Sequence, residues 1–147
     1  MADHRAEQIL AAVKTLVTGL TTTTTNVERG RYEEIPEDTT PALRVRQGQD
    51  VIVDPWAHSL LDSEIDVVIE AAVHDSATNV ETLLNLVRKE VNIALAADPT
   101  LGLAFVHAIV ELGSARPQGS GELAKPAASM DLLYRVKYRR LRTDPSA

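Results

Sequence analysis

Glu64, Asp66, Glu70, His74 and Asp75 put carboxylates and an imidazole along one stretch of chain, and hard divalent cations are held by such oxygen and nitrogen ligands. Residues two apart on a strand share a face, however, so the same spacing describes the solvated side of an ordinary strand. A magnesium-dependent nuclease can be assembled by joining Asp54, Glu64 or Asp66 to Lys137, because paired carboxylates with a lysine hold the metal and orient water. The compact acidic-x-lysine pair on one strand that this requires is missing. Ser120, in Gln118-Gly119-Ser120-Gly121-Glu122, lacks the strand-turn-helix context that exposes a serine nucleophile. His4, His58 and His107 have no zinc-site spacing. The chain is therefore expected to have no catalytic residue, no metal site and no cofactor.

The elements that position these side chains follow from hydrophobic periodicity. Asp3 is expected to cap a first helix in which Ile9, Leu10, Val13, Leu16, Val17 and Leu20 recur at helical spacing. The threonine run at 21–25 favours extended backbone, since β-branched side chains suit a pleat, and predicts a strand over about 22–28. Residues 29–40 read as an exposed polar loop with nothing to contribute to a core. Ala42 to Val53 reads as extended, with Gly48 marking a turn or bulge. In the next strand Ile65, Val67, Ile69, Ala71 and Val73 share one face, which predicts a core side and a wet side. Thr78-x-x-Glu81 matches a capping box. Val80, Leu83, Leu84, Val87, Val91, Ala94 and Leu95 form the buried stripe behind it, widened by Leu86 and Ile93, and Asp98-Pro99 ends the helix.

Two more strands, over 103–112 and 130–141, are predicted by alternation. In the second, Met130, Leu132, Tyr134, Val136 and Tyr138 oppose Asp131, Leu133, Arg135, Lys137 and Arg139. The Gly/Ser/Pro-rich segment over 113–129 is long for a connection without its own structure and reads as a flexible loop or a binding arm. The order of elements gives a single α+β domain over 1–147: a mainly antiparallel sheet with two helices packed on one face.

Composition narrows the classes further. A chain of 147 residues with 44% hydrophobic content can bury one core. Net charge −6 lacks the electrostatic footprint of a duplex-DNA binder, and 3% aromatic residues is too few for a stacking platform on single strands. Cys 0 removes disulfides and thiolate chemistry. The polar start Met1-Ala2-Asp3-His4-Arg5 and the lack of a run of about 20 apolar residues predict neither a signal peptide nor a membrane helix.

Against the acidic background, Arg135, Lys137, Arg139, Arg140 and Arg142 gather positive charge near one end. They either pair across strands with Glu64, Asp66 and Glu70 or meet an acidic surface on a neighbouring subunit. Trp56, the sole tryptophan, either packs over the core edge or anchors an interface. Glu33, Glu34, Glu37 and Asp38 form an acidic loop, suited to an exposed ring surface or to a lumen whose negative lining repels nucleic-acid phosphate.

An N-terminal helix, Pro41-Ala42-Leu43-Arg44-Val45, the alternating strand from Ile65 to Val73, the helix exit Ala97-Asp98-Pro99-Thr100-Leu101-Gly102 and the closing Tyr134-Arg135-Val136-Lys137-Tyr138-Arg139 together resemble the tail terminator (tail completion) proteins of long-tailed bacteriophages. The resemblance spans most of the chain; the threonine run and the 113–129 segment depart from it. It implies a non-enzymatic structural protein of the virion tail, assembled in the host cytoplasm into a hexameric ring. Such a ring caps the tail tube, stops its polymerisation and meets a head completion or connector protein, with DNA only passing through the lumen and no membrane involved. A neck or head–tail connector subunit is the alternative within the same architecture.

Overall fold

A computed structural model describes residues 2–74, 79–120 and 127–147, and of Glu37 and Ser120 the backbone only. Asp75, Thr78, Gly121 and Glu122 lie outside the described residues. Helix α1 spans Arg5–Val17 and buries Ile9, Leu10, Val13 and Val17. Its cap is His4, not the expected Asp3: Nδ1 of His4 accepts from the Ala6 N–H at 3.0 Å. The Asp3 backbone carbonyl instead accepts from Gln8 Nε2.

The threonine run does not form the expected strand. Thr24 N–H donates to Leu20 O at 2.8 Å and Gly19 N–H to Thr24 O at 2.7 Å, closing a loop in which Thr24 takes φ 51°. Thr22 is tied to the helix over Val80–Ala96 through Glu90, whose carboxylate accepts from its amide and its hydroxyl, and Thr23 is fully buried. Tertiary contacts thus override the preference for extended backbone, and strand β1 shrinks to Val27–Arg29.

Strands β2 (Ala42–Ile52) and β3 (Leu60–His74), helix α2 (Val80–Ala96), and strands β4 (Val106–Ser114), β5 (Gln118–Ser120) and β6 (Ala127–Leu141) complete the fold. The six-stranded sheet runs β1-β2-β3-β6-β4, with β5 also on β6; β1 and β2 are parallel and the other pairs antiparallel. Within the segment expected to be an unstructured loop, β4 therefore continues to Ser114, β5 pairs Gln118 with Ser129, and β6 starts at Ala127.

Helix α2 is capped by Asn79, whose Oδ1 accepts from the N–H groups of Glu81 (2.9 Å) and Thr82 (3.4 Å). This places the cap one residue after the expected Thr78. Leu84, Val87, Val91 and Leu95 form its buried stripe, whereas Leu86 and Ile93 are exposed, contrary to expectation. A hundred-degree turn per residue carries them past the side that meets the sheet. The exit turn places Leu101 (φ 57°) and Gly102 (φ 67°) in the left-handed region, with Asp98 Oδ1 accepting from the Gly102 N–H at 3.1 Å. Leu101 is thereby turned back into the core.

Both helices cover one face of the sheet, as expected. Ile65, Val67, Ile69, Ala71 and Val73 of β3 and Met130, Leu132, Tyr134, Val136 and Tyr138 of β6 all point into the core between the layers. A small second cluster, Ile35, Ala42 and Ala72, lies apart from it. The 29–40 stretch thus supplies a buried side chain, because Ile35 docks on the two alanines where expectation left the loop free of the core. No helix of the described residues is long and apolar enough to cross a membrane.

Gly48 sits where the β2–β3 register shifts between Gln47 and Asp50, the bulge its position in the sequence suggests. A Cβ at this residue would stand 2.9 Å from Asp66 Cβ and 3.1 Å from Asp66 O. Gly48→Ala is expected to force the two strands apart and cost about 1–3 kcal/mol, read as a lowered urea midpoint. An unchanged midpoint would show that the bulge can open freely.

Candidate interaction surface

The outer face of the sheet, away from the helices, carries the charged residues singled out in the sequence. The register of β3 on β6 sets Asp62 opposite Arg139, Glu64 opposite Lys137 and Asp66 opposite Arg135. Each cation closes on its neighbour: Arg139 Nε to Asp62 Oδ1 at 2.8 Å, Lys137 Nζ to Glu64 Oε1 at 3.4 Å, and Arg135 Nε to Asp66 Oδ1 at 2.8 Å. Glu70 stands opposite Asp131, and Arg46, reaching over from β2, bridges both carboxylates at 3.2 Å. Arg140 and Arg142 do not join this ladder.

The hydrogen bond from Arg139 holds the Asp62 carboxyl below the usual carboxylate range, against partial desolvation, with the Arg139 charge and His107 adding to it. Pairs as open to water as these contribute little to stability, because solvent screens them. Arg135, Lys137 and Arg139 thus each have a carboxylate partner within the same chain while staying open to water.

Among the described residues no group of three or more His, Cys, Asp or Glu is placed to hold a metal ion. Glu64 and Asp66 are engaged by cations, His74 Nδ1 lies 3.1 Å from Thr40 Oγ1, and Asp54 lies in the β2–β3 turn, where it accepts from the Trp56 amide. His107 Nε2 lies 3.5 Å from Asp62. Ser120 sits on β5, in a strand and not at an elbow.

The acidic loop is held against the outer face by two arginines that sequence reading passed over. Arg44 is 3% exposed and donates through Nη1 to the Glu33 carbonyl, with Glu28 3.7 Å from its Nε. The Arg46 guanidinium lies 5.5 Å from the Tyr32 ring centroid, a cation–π contact. So anchored, Glu33, Glu34 and Asp38 are exposed, while the Glu37 side chain lies outside what is described. The Glu33 carboxyl is held low, first of all by its own backbone N–H, which outweighs desolvation, with the Arg31 and Arg44 charges adding to it.

Trp56 does not pack over the core edge: it is 88% exposed. Its turn is nonetheless built. Arg142, just past β6, donates through Nη2 to the carbonyls of Pro55 (2.7 Å) and Ala57 and through Nε to that of His58 (3.0 Å). Asp54 Oδ1 accepts from the Trp56 N–H at 3.0 Å. Val51, Val53 and Leu60, also exposed, flank the turn on the ends of the same hairpin. The role of Arg142 was hidden in the sequence because a guanidinium reaching three main-chain carbonyls leaves no residue-type signature at the carbonyl end.

A chain of the solved structure described as "Virion of native gene transfer agent (GTA) particle" aligns over 92% of this chain and 88% of its own length, at 14% identity and a TM-score of 0.44. No family model matches the sequence, and no curated protein does.

Proposed function

We propose that this chain is a structural virion protein that closes into a hexameric ring on a phage tail tube, ends its polymerisation and joins the tail to the head completion complex. The sequence resemblance over the helix exit and the closing strand supports this reading. The structural observation that carries it is the Trp56 turn: a large aromatic held out in water by main-chain bonds to Arg142. Exposed tryptophans on ordered backbone are typical interface anchors. The proposed neighbour contact includes Trp56 and the outer face with Arg135, Lys137 and Arg139, and the acidic loop of Glu33, Glu34, Glu37 and Asp38 is proposed to line a lumen or ring surface. There its charge would keep passing DNA from adhering.

Sedimentation of the wild type and of Arg139→Glu, with and without purified tail tubes, tests the reading. A ring that binds tubes is expected, weakened by the reversal and by salt, since exposed charges are screened within about 8 Å at physiological ionic strength. Association that ignores the reversal would confine Arg139 to its solvent-screened pair with Asp62. Binding to connector but not to tubes would favour the neck subunit. A chain that stays monomeric at high concentration and ignores tubes would sink the ring.

A further inference from the structure

The strand order places two apolar patches at opposite sides of one sheet. On one side β1 covers only Leu43 to Val45 of β2; among the described residues no strand pairs with the rest of that edge, which leads into the Trp56 turn with exposed Val51 and Val53. On the other side β4 is the outer strand, with Val110 and Leu112 each 47% exposed. Between β4 and α2 opens a groove of about 160 Å³ lined by Asn92, Leu95, Ala96, Ile109, Glu111 and Tyr134. Space on the order of 150 Å³ with apolar walls holds a benzene ring. The walls here are apolar, and the polar rim is partly engaged: Tyr134 Oη donates to Asn92 Oδ1, and Arg88 Nη2 donates to Glu111 Oε1 at 2.8 Å. Glu111 Oε2 has no hydrogen-bond donor among the described residues and so remains as an acceptor.

We infer that Trp56 of one copy seats in the α2–β4 groove of the next copy, with its indole N–H donating to the Glu111 carboxylate. This rests on the ring reading and names its contact. Two features favour a second copy as the occupant. Donor and groove lie on different sides of the same chain, so each copy offers one and receives the other, the heterologous arrangement that closes rings. Charge is complementary: Asp54, beside the indole, has no cation partner among the described residues, and Lys89, on α2 next to Arg88, has no carboxylate partner among them. Val51, Val53 and Leu60, exposed beside Trp56, extend the donor patch. Arg142 acts as a positioning residue, holding the turn in its seated shape before contact and so lowering the ordering cost of association.

Trp56 is the only tryptophan, so its fluorescence reports on the seat directly. As wild type associates with rising concentration, emission is expected to shift to the blue and acrylamide quenching to fall. Trp56→Ala, and Ala96→Arg at an exposed position that fills the groove, are each expected to weaken association about thirtyfold or more, the loss typical of a tryptophan hot spot, with circular dichroism unchanged. Mixed together, the two variants should form pairs and nothing larger, because one supplies the only groove and the other the only tryptophan. If closure needs tail tubes, co-sedimentation of the same variants reads the same contact. Rings that form with Trp56 still open to quencher, or that form equally well in either variant, overturn the groove assignment and leave the ring standing. A chain that never associates, with or without tubes, overturns both.

Discussion

Replacing Tyr138 by alanine is expected to destabilise the domain by about 3–5 kcal/mol, the usual cost of deleting a large buried aromatic. Tyr138 is fully buried, heads the fully buried side chains in size, and lies on β6 between Ser63 of β3 and Val106 of β4. Against a total stability of about 5–15 kcal/mol for a typical domain, the variant retains little margin. Tyr138→Phe keeps the ring and loses only the hydroxyl, which donates to Asp50 Oδ2 at 2.7 Å. Since Asp50 is exposed and can turn to water, that change should cost about 1 kcal/mol. Burial, first of all, pushes the phenols of both Tyr134 and Tyr138 well above the ordinary range, reinforced by the Glu111 charge at the first and by Asp50 at the second. A folded pKa raised above the unfolded one gives stability that is fully present below the unfolded value, about pH 10, and is lost as pH rises beyond it. Urea midpoints taken from pH 8 to 11 should therefore fall at the alkaline end, and less steeply in Tyr138→Phe. Superimposable pH profiles in the two proteins would show that the Tyr138 hydroxyl does not titrate differently on folding.

Arg44→Ala is expected to cost about 2–3 kcal/mol and to free the acidic loop. The guanidinium is almost fully buried and is bonded to the Glu33 carbonyl. Breaking a buried pair costs 3–5 kcal/mol when it strands an uncompensated charge. Here the partner Glu28 is 48% exposed and can be hydrated, so the cost is smaller, set by the lost packing and by the Glu33 carbonyl left without its donor. Loss of this bond should undock Ile35 from Ala42 and Ala72, raising hydrogen exchange over 31–36 and opening the Arg31 bond to trypsin. Arg44→Met, which keeps most of the volume, should recover part of the stability and none of the protection. Full protection of 31–36 in Arg44→Ala would show that Ile35 alone holds the loop.

Alternating segments were the most legible part of the fold. The inward sets on β3 and β6 repeat every second residue over 15-residue strands, and no other period fits them. Irregular segments were misread where one distant contact outweighed a local preference. Threonines suit strands, yet Glu90 of α2 binds Thr22 and draws the run into a loop; a polar stretch suits solvent, yet Arg44 and Ile35 dock it. The α2 face was read too wide because hydrophobicity marks Leu86 and Ile93 as core, while only the position of the sheet decides which sides of the helix are covered.

The sequence by itself determined the two-layer α+β architecture, the core faces of the long strands, a turn or bulge at Gly48 and the presence of a basic strip and an acidic one, because each follows from local period or residue type. Only the tertiary structure decided that Arg139 meets Asp62, Lys137 meets Glu64 and Arg135 meets Asp66. Register is a property of two strands brought together, and a shift of one residue would have sent every one of these side chains to the opposite face. It decided likewise that Trp56 stands in water, since the residue that holds its turn, Arg142, is 86 positions away in the chain and adjacent only once β3 and β6 have paired.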